Sequence, residues 1–179
     1  VYVTGNPHFS DPKFKKYTDR TSDEVFDTVY HTWENKWDED KGTVMPEKVI
    51  EDAKSSQKLF PDKKKIIHFM QPHHPFLNSE IDQKGIDWDK GGGEHIWAKT
   101  HKGEVKSEEV TKAYRKSLEE FLPYVDKLIK ELDGKTIITS DHANYLGERG
   151  FYGHPKGHSS GIIRKVPLHV IEKKESHDN

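Results

Sequence analysis

The chain of 179 residues has the length of one compact domain, and its charged fraction of 34% exceeds its hydrophobic fraction of 31%. This balance predicts a small core surrounded by long polar loops. The formal net charge of -2 argues against a dedicated nucleic-acid-binding protein, because such a protein needs a broad positive field to attract phosphate groups.

The first half of the chain contains four segments with recognisable patterns. A short apolar run at 1–4 predicts a strand that begins the chain without a Met or any lead-in. Residues 25–33 fit either a strand or a short helix. Pro46 is well placed as the first residue of a helix over 46–60, and its apolar residues recur at helical spacing. Residues 66–70 form an apolar run that fits a buried parallel strand.

Residues 78–106 form the longest segment without a sustained hydrophobic period. The segment is polar, and we expect a long loop excursion, a feature that is often functional in compact domains. It contains Gly91-Gly92-Gly93, which follows no predicted strand and starts no predicted helix. A nucleotide-binding α/β domain of flavodoxin type is therefore a weak alternative, because a phosphate-binding loop needs that context.

The last third of the chain carries the strongest helix pattern. This helix begins at Ser107, a candidate N-cap, has a candidate kink at Pro123 and ends before Gly134. Strands are predicted at 136–139 and 166–171. No run approaches the ~20 apolar residues that span a bilayer, so we expect no membrane contact from this segment. The pattern predicts a single α/β domain over 1–179 that is part of a longer protein.

Candidate functional residues follow the predicted strands. The sequence has no cysteine, so any metal ion would be held by histidine or carboxylate side chains. In open α/β sheets, ligand sites lie where strands end and helices begin. Three histidine-bearing clusters fall in such places: His73-His74, Asp141-His142, and His154 with His158.

The pair Asp141-His142 is the most specific of these clusters. An adjacent carboxylate and imidazole just past a strand can supply two ligands to one ion of Zn or Mn type. The alternative is that Asp141 caps a following helix, which is a common role for an aspartate after a strand.

Several motifs between residues 65 and 171 resemble those of the sulfatase-like branch of the alkaline phosphatase superfamily. Their order and spacing agree with that family. The motifs are His73-His74-Pro75-Phe76, Ala113-Tyr114, Ser140-Asp141-His142, Leu146-Gly147-Glu148, Gly153-His154 and Val166-Pro167-Leu168.

The resemblance implies an α/β fold of alkaline-phosphatase type, with a largely parallel sheet flanked by helices, of which this chain is the C-terminal portion. It implies a metal-dependent hydrolase of sulfate or phosphate esters whose substrate is a small molecule, a glycan or a lipid. The cofactor implied is a divalent metal ion, with Mn or Zn favoured by His142 and Ca possible. The missing N-terminal portion of the same protein is an expected partner.

The resemblance also implies residue roles. Asp141 and His142 match two metal ligands, and His154 matches a position that serves as a second-metal ligand or contacts the transferred group. His74 matches the histidine that faces the sulfate or phosphate and stabilises charge or protonates the leaving oxygen. We expect His73 to point away from the site and His158 to be a surface residue.

Two departures from the family pattern stand beside these matches. Ala143 occupies a place where the family usually has glycine, which requires a backbone without positive φ. The family's nucleophile motif is missing, since there is no cysteine and no Cys/Ser-x-Pro-x-Arg run. We therefore predict that the chain alone is inactive. The alternative is a non-catalytic binding or scaffolding domain that retains the fold.

Overall fold

The structure, a computed structural model, describes residues 1–81, 83 and 95–172. Its helices and strands alternate along much of the chain. The helices are α1 (Asp11–Thr18), α2 (Thr32–Asn35), α3 (Pro46–Leu59), α4 (Ile96–His101), α5 (Ser107–Glu131) and α6 (Gly161–Arg164). The strands are β1 (Tyr2–Thr4), β2 (Val29–His31), β3 (Trp37–Asp38), β4 (Thr43–Val44), β5 (Ile66–His68), β6 (Lys135–Thr139), β7 (Tyr145–Leu146), β8 (Tyr152–Gly153) and β9 (Leu168–Glu172).

The parallel part of the structure is a three-stranded sheet in the order β2-β1-β5. The central strand β1 is the most buried because it has a partner on each side, and Val3 is fully enclosed. Val3 packs with Val44 and with Val49 of α3, which covers one face of the sheet. The strand predicted at 1–4 is confirmed as Tyr2–Thr4. The strand predicted at 66–70 is parallel but spans only Ile66–His68, and the prediction that it is buried is wrong, since Ile66 is 50% exposed at the edge of the sheet. The segment 25–33 contains both a strand and a short helix.

The other pairs among the described strands are antiparallel. β6 and β9 pair from Lys135 opposite Glu172 to Thr139 opposite Leu168, and β7 pairs with β8. The protein is therefore mixed α/β, as predicted, but its parallel sheet is small. The predicted strand at 136–139 is confirmed, and the strand predicted at 166–171 begins at Leu168.

The long helix α5 packs against α3. Leu128 packs on Ile50 and Ala53 of α3, and the helix continues through Pro123. Ser107 is not the N-cap, which is Lys106. Instead, the Ser107 hydroxyl donates a hydrogen bond to the carbonyl oxygen of Leu146 at 3.1 Å, which fastens the start of the helix to β7.

The predicted excursion at 78–106 contains α4, whose residues Ile96 and Trp97 are buried. These two pack with Phe76 and Val110 in a second core cluster. The glycine run Gly91-Gly92-Gly93 lies outside the described residues. None of the helices described here is long and apolar enough to cross a membrane.

Candidate functional site

The histidine-rich residues line one large open groove of about 1820 Å³. Its floor is formed by the apolar side of α5, and its sides are formed by β5 and β6, which have no hydrogen-bonded pairing with each other in the described structure. Leu122 and Ile137 are exposed in it by about half, at 49% and 56%. The polar end of the groove lies at the carboxyl ends of both strands, where His68 is the last residue of β5 and Asp141 follows β6.

Asp141 lies two residues past Thr139, the last residue of β6. Its carboxylate oxygen accepts a hydrogen bond from the backbone N–H of His142 at 3.0 Å, and its other oxygen lies 3.7 Å from His142 Nε2. No helix begins after Asp141, because the chain continues as irregular backbone to β7. The helix-cap alternative is therefore wrong for this residue, and its carboxylate stays accessible to a ligand.

The ring of His142 faces the ring of His154, with 4.3 Å between their centroids. His154 follows β8, and Asn144 accepts a hydrogen bond from its Nδ1 at 2.9 Å. Partial burial of the imidazole and the neighbouring His142 lower the pKa of His154, while the carboxylate of Asp141 acts in the opposite direction. The three residues predicted to bind metal are therefore neighbours in space.

His73 and His74 occupy different surroundings although they are adjacent in sequence. The ring of His73 lies 5.6 Å from that of His154, so it faces the site, in contrast to the prediction that it points away. The ring of His74 lies instead beside His95, at 5.6 Å, and Trp97, at 6.1 Å. His74 contacts His73, at 4.3 Å between centroids, and lies within electrostatic range of His154.

Burial keeps both of these histidines neutral. Burial is the largest cause and neighbouring histidines act in the same direction, and together they lower the pKa of His73 to about 4 and that of His74 to about 2. His74 is only 6% exposed, and its Nδ1 has no hydrogen-bond partner within the described part of the chain. No sequence pattern indicates this difference between the two histidines, because the folded path of the backbone decides which ring faces the groove.

Tyr2 and His68 connect the parallel sheet to the end of β6. The Tyr2 hydroxyl and His68 Nδ1 are hydrogen-bonded at 2.9 Å. Burial raises the pKa of Tyr2 to about 12, and the negative charge of Asp141 contributes to this increase. Burial lowers the pKa of His68, whereas Asp141 raises it. Asp141 therefore lies within electrostatic range of both residues. Sequence patterns did not indicate Tyr2 or His68 as site residues.

The donor set at this site has the protonation that a metal ion requires. Backbone carbonyl oxygens accept from Nδ1 of His142 at 3.0 Å and from Nδ1 of His73 at 2.6 Å, and Asn144 accepts from His154. Because these oxygens only accept, each Nδ1 carries the hydrogen, and each Nε2 keeps a free lone pair. Together with the Asp141 carboxylate, this set suits an ion that prefers imidazole and oxygen ligands.

The side chains are close but do not form a finished coordination shell. Among residues 1–81, 83 and 95–172, no three histidine or carboxylate groups are arranged so that they could hold a metal ion as they stand. Binding would therefore need a movement of these side chains or a ligand from another source.

Two further predictions concern the loop that carries these residues. Ala143 does not have a positive φ, so the absence of glycine there causes no backbone strain. His158 packs edge-on against Phe151, at 4.6 Å, and Tyr145, at 5.9 Å, so it belongs to an aromatic cluster rather than to the histidine group.

The fold and site together define a mixed α/β protein with a histidine- and aspartate-lined groove. No protein-family model matches the chain, and no curated protein or solved structure matches it.

Proposed function

We propose that this chain is the metal-site portion of a metal-dependent hydrolase of sulfate or phosphate esters with an alkaline-phosphatase-like fold. The observation that carries the proposal is the grouping of Asp141, His142 and His154 at the end of β6, each with a ligand atom free. Asp141, His142 and His154 would hold the ion, with Mn or Zn favoured and Ca possible. When bound there, such an ion would neutralise the negative charge on the oxygens of the transferred group.

The substrate-facing role belongs to His73 in this proposal rather than to His74. The ring of His73 contacts that of His154, whereas His74 is enclosed by His95 and Trp97. Burial lowers the pKa of His73 to about 4, so the ring is neutral, and its hydrogen lies on Nδ1, which donates to the carbonyl oxygen of His74. Its Nε2 would donate a hydrogen bond to the ester only after a proton moves to that nitrogen. His74 would support the ring of His73 by packing against it.

The groove also supports an anionic substrate. Lys13 and Lys156 line it beside the histidines, and the Lys13 ammonium donates a hydrogen bond to His8 Nδ1 at 2.7 Å. Positive side chains at the opening of a groove raise the local concentration of an anion. A small-molecule, glycan or lipid ester of sulfate or phosphate fits this charge.

We infer that the remaining, N-terminal part of the same protein covers the apolar floor of the groove. Leu122 and Ile137 are half-exposed there, and the edges of β5 and β6 that face the groove are unpaired in the described structure. Unpaired strand edges accept an additional strand. That part would also supply the nucleophile and a further metal ligand, so the 179-residue chain alone would be inactive.

The test compares the wild-type chain with Asp141→Ala and His142→Ala in Zn²⁺ and Mn²⁺ titrations by calorimetry. We expect each substitution to weaken binding at least tenfold, whereas Asp62→Ala, at an exposed turn, leaves it unchanged. The complete protein should then hydrolyse bis(p-nitrophenyl) phosphate or p-nitrophenyl sulfate, and its Asp141→Ala variant should not. Equal turnover by the two forms would refute the proposal.

A second candidate is a non-catalytic binding or scaffolding domain. It is favoured by one observation, namely that the described residues contain no ready three-ligand group. A complete protein that binds neither Zn²⁺ nor Mn²⁺ would support this candidate.

A further inference from the structure

The structure contains a hydrogen-bonded chain that leads from the aromatic core to His154. Tyr114 lies on α5, and its ring packs against Phe76 at 5.9 Å and Trp97 at 6.4 Å between centroids. The side-chain amide of Asn144 donates to the Tyr114 hydroxyl at 3.4 Å. The oxygen of the same amide accepts from Nδ1 of His154 at 2.9 Å.

The direction of these hydrogen bonds follows from which atoms donate and which accept. An amide group has one donating and one accepting end, and in the structure the nitrogen of Asn144 faces the Tyr114 hydroxyl, which can accept its hydrogen bond. The oxygen of Asn144 must then face His154, and an amide oxygen only accepts. His154 therefore carries its hydrogen on Nδ1 and keeps a lone pair on Nε2.

We propose that Asn144 and Tyr114 are positioning residues that hold His154 in the Nδ1–H form with its Nε2 available as a ligand. Histidine ligands commonly donate their other ring N–H to an oxygen acceptor, which fixes both tautomer and ring orientation. Here the acceptor is itself oriented by a core tyrosine, so the ring of His154 is tied to the packing of α5. This role rests on the proposed metal site.

The hydrogen bond that orients His154 differs in kind from those that orient His142 and His73. The acceptors for His142 and His73 are backbone carbonyl oxygens, which no substitution removes. His154 alone of these three uses a side-chain acceptor, so its orientation is the one that a substitution can release.

The first measurement is made without metal. Long-range ¹H–¹⁵N correlation spectra of the 179-residue chain should show His154 with a protonated Nδ1 and an unprotonated Nε2. Asn144→Leu should produce a tautomer mixture, and Asn144→Asp, which keeps an accepting oxygen, should retain the Nδ1–H form. A merely structural role for Asn144 would leave the tautomer unchanged in all three.

The second measurement is a Zn²⁺ titration of the same proteins. Loss of an outer hydrogen-bond partner weakens metal binding by roughly 10- to 100-fold, and we expect that loss for Asn144→Leu and a smaller one for Tyr114→Phe. Asn144→Asp should bind Zn²⁺ at least as tightly as the wild type. Asn35→Leu, at an exposed position on α2, is the matched control and should change nothing.

The outcomes separate this inference from the proposed function. An unchanged His154 tautomer and Zn²⁺ affinity in Asn144→Leu, or an Nε2–H form in Asn144→Asp, would overturn the positioning role. If Asn144→Leu does not fold, Asn144→Asp and Tyr114→Phe still decide it. Zn²⁺ binding that is unaffected by Asp141→Ala would instead refute the metal site, while the tautomer result would stand by itself.

Discussion

The imidazole rings of His142 and His154 lie 4.3 Å apart between centroids, although one follows β6 and the other follows β8. The loop between them carries Asn144, which holds His154, and its strand β7 is fastened to the start of α5 through Ser107. This arrangement brings two imidazoles and the Asp141 carboxylate to one end of the groove. The following predictions test the contacts that produce it.

Stability should decrease as the pH falls from 7 to 5. His73 and His74 have folded pKa values of about 4 and about 2, below the usual value near 6.5, so in this range the unfolded chain binds protons that the folded chain does not. Removing the His74 imidazole should therefore reduce the loss by roughly 1–2 kcal/mol. Urea unfolding of the wild type and His74→Gln at pH 7 and pH 5 measures this. An equal loss in both proteins would contradict a neutral, buried His74.

Gly153→Ala should destabilise the protein more than Gly157→Ala. Both glycines have positive φ, at 67° and 82°, so both substitutions carry the backbone cost of about 1 kcal/mol. A Cβ at Gly153 would also lie 2.9 Å from the indole ring of Trp97, whereas one at Gly157 would meet nothing within 4 Å. We expect an additional loss of about 1–3 kcal/mol at Gly153 in thermal or urea unfolding. Equal losses would show that Trp97 moves aside freely.

The pKa of His68 should fall further in Asp141→Asn. Burial already lowers this pKa, and the negative charge of Asp141 partly counteracts that effect. Removing the charge leaves burial unopposed, so the direction is downward. Histidine resonances followed by NMR during an acid titration give the value, with Asp62→Asn as control. No change would mean that the ends of β5 and β6 do not converge as described.

Substitutions in the groove should lower the stability of the complete protein and leave the stability of the isolated chain almost unchanged. Leu122 and Ile137 are exposed at 49% and 56%, and exposed positions usually change stability by less than about 0.5 kcal/mol. If the rest of the protein covers them, Leu122→Gln or Ile137→Thr should destabilise only the complete form. Phe121, which packs on Phe69 at 5.0 Å, is the positive control, and Phe121→Ala should cost about 3–5 kcal/mol in both forms. Equal behaviour of the groove variants in both forms would contradict the covering.

Local patterns predicted most of the regular elements. Helix α3 begins at Pro46, and α5 begins at Ser107, as the sequence indicates, because apolar spacing and helix starts are properties of neighbouring residues. The placement of Asp141 and His142 just past a strand was predictable for the same reason. Capping was less predictable, since Ser107 bonds to Leu146, a residue far away in the chain.

The sequence by itself determined which residue types were available to the site: carboxylates, imidazoles and no thiolates. Only the tertiary structure decided that His73 rather than its neighbour His74 faces His154, and that Tyr2 and His68 lie near Asp141. The physical reason is that adjacent side chains leave the backbone in different directions, and which one meets the groove depends on packing against residues from distant elements. Periodicity and spacing report on residues that are near one another in sequence, whereas this site is formed by residues that are distant in sequence and close in space.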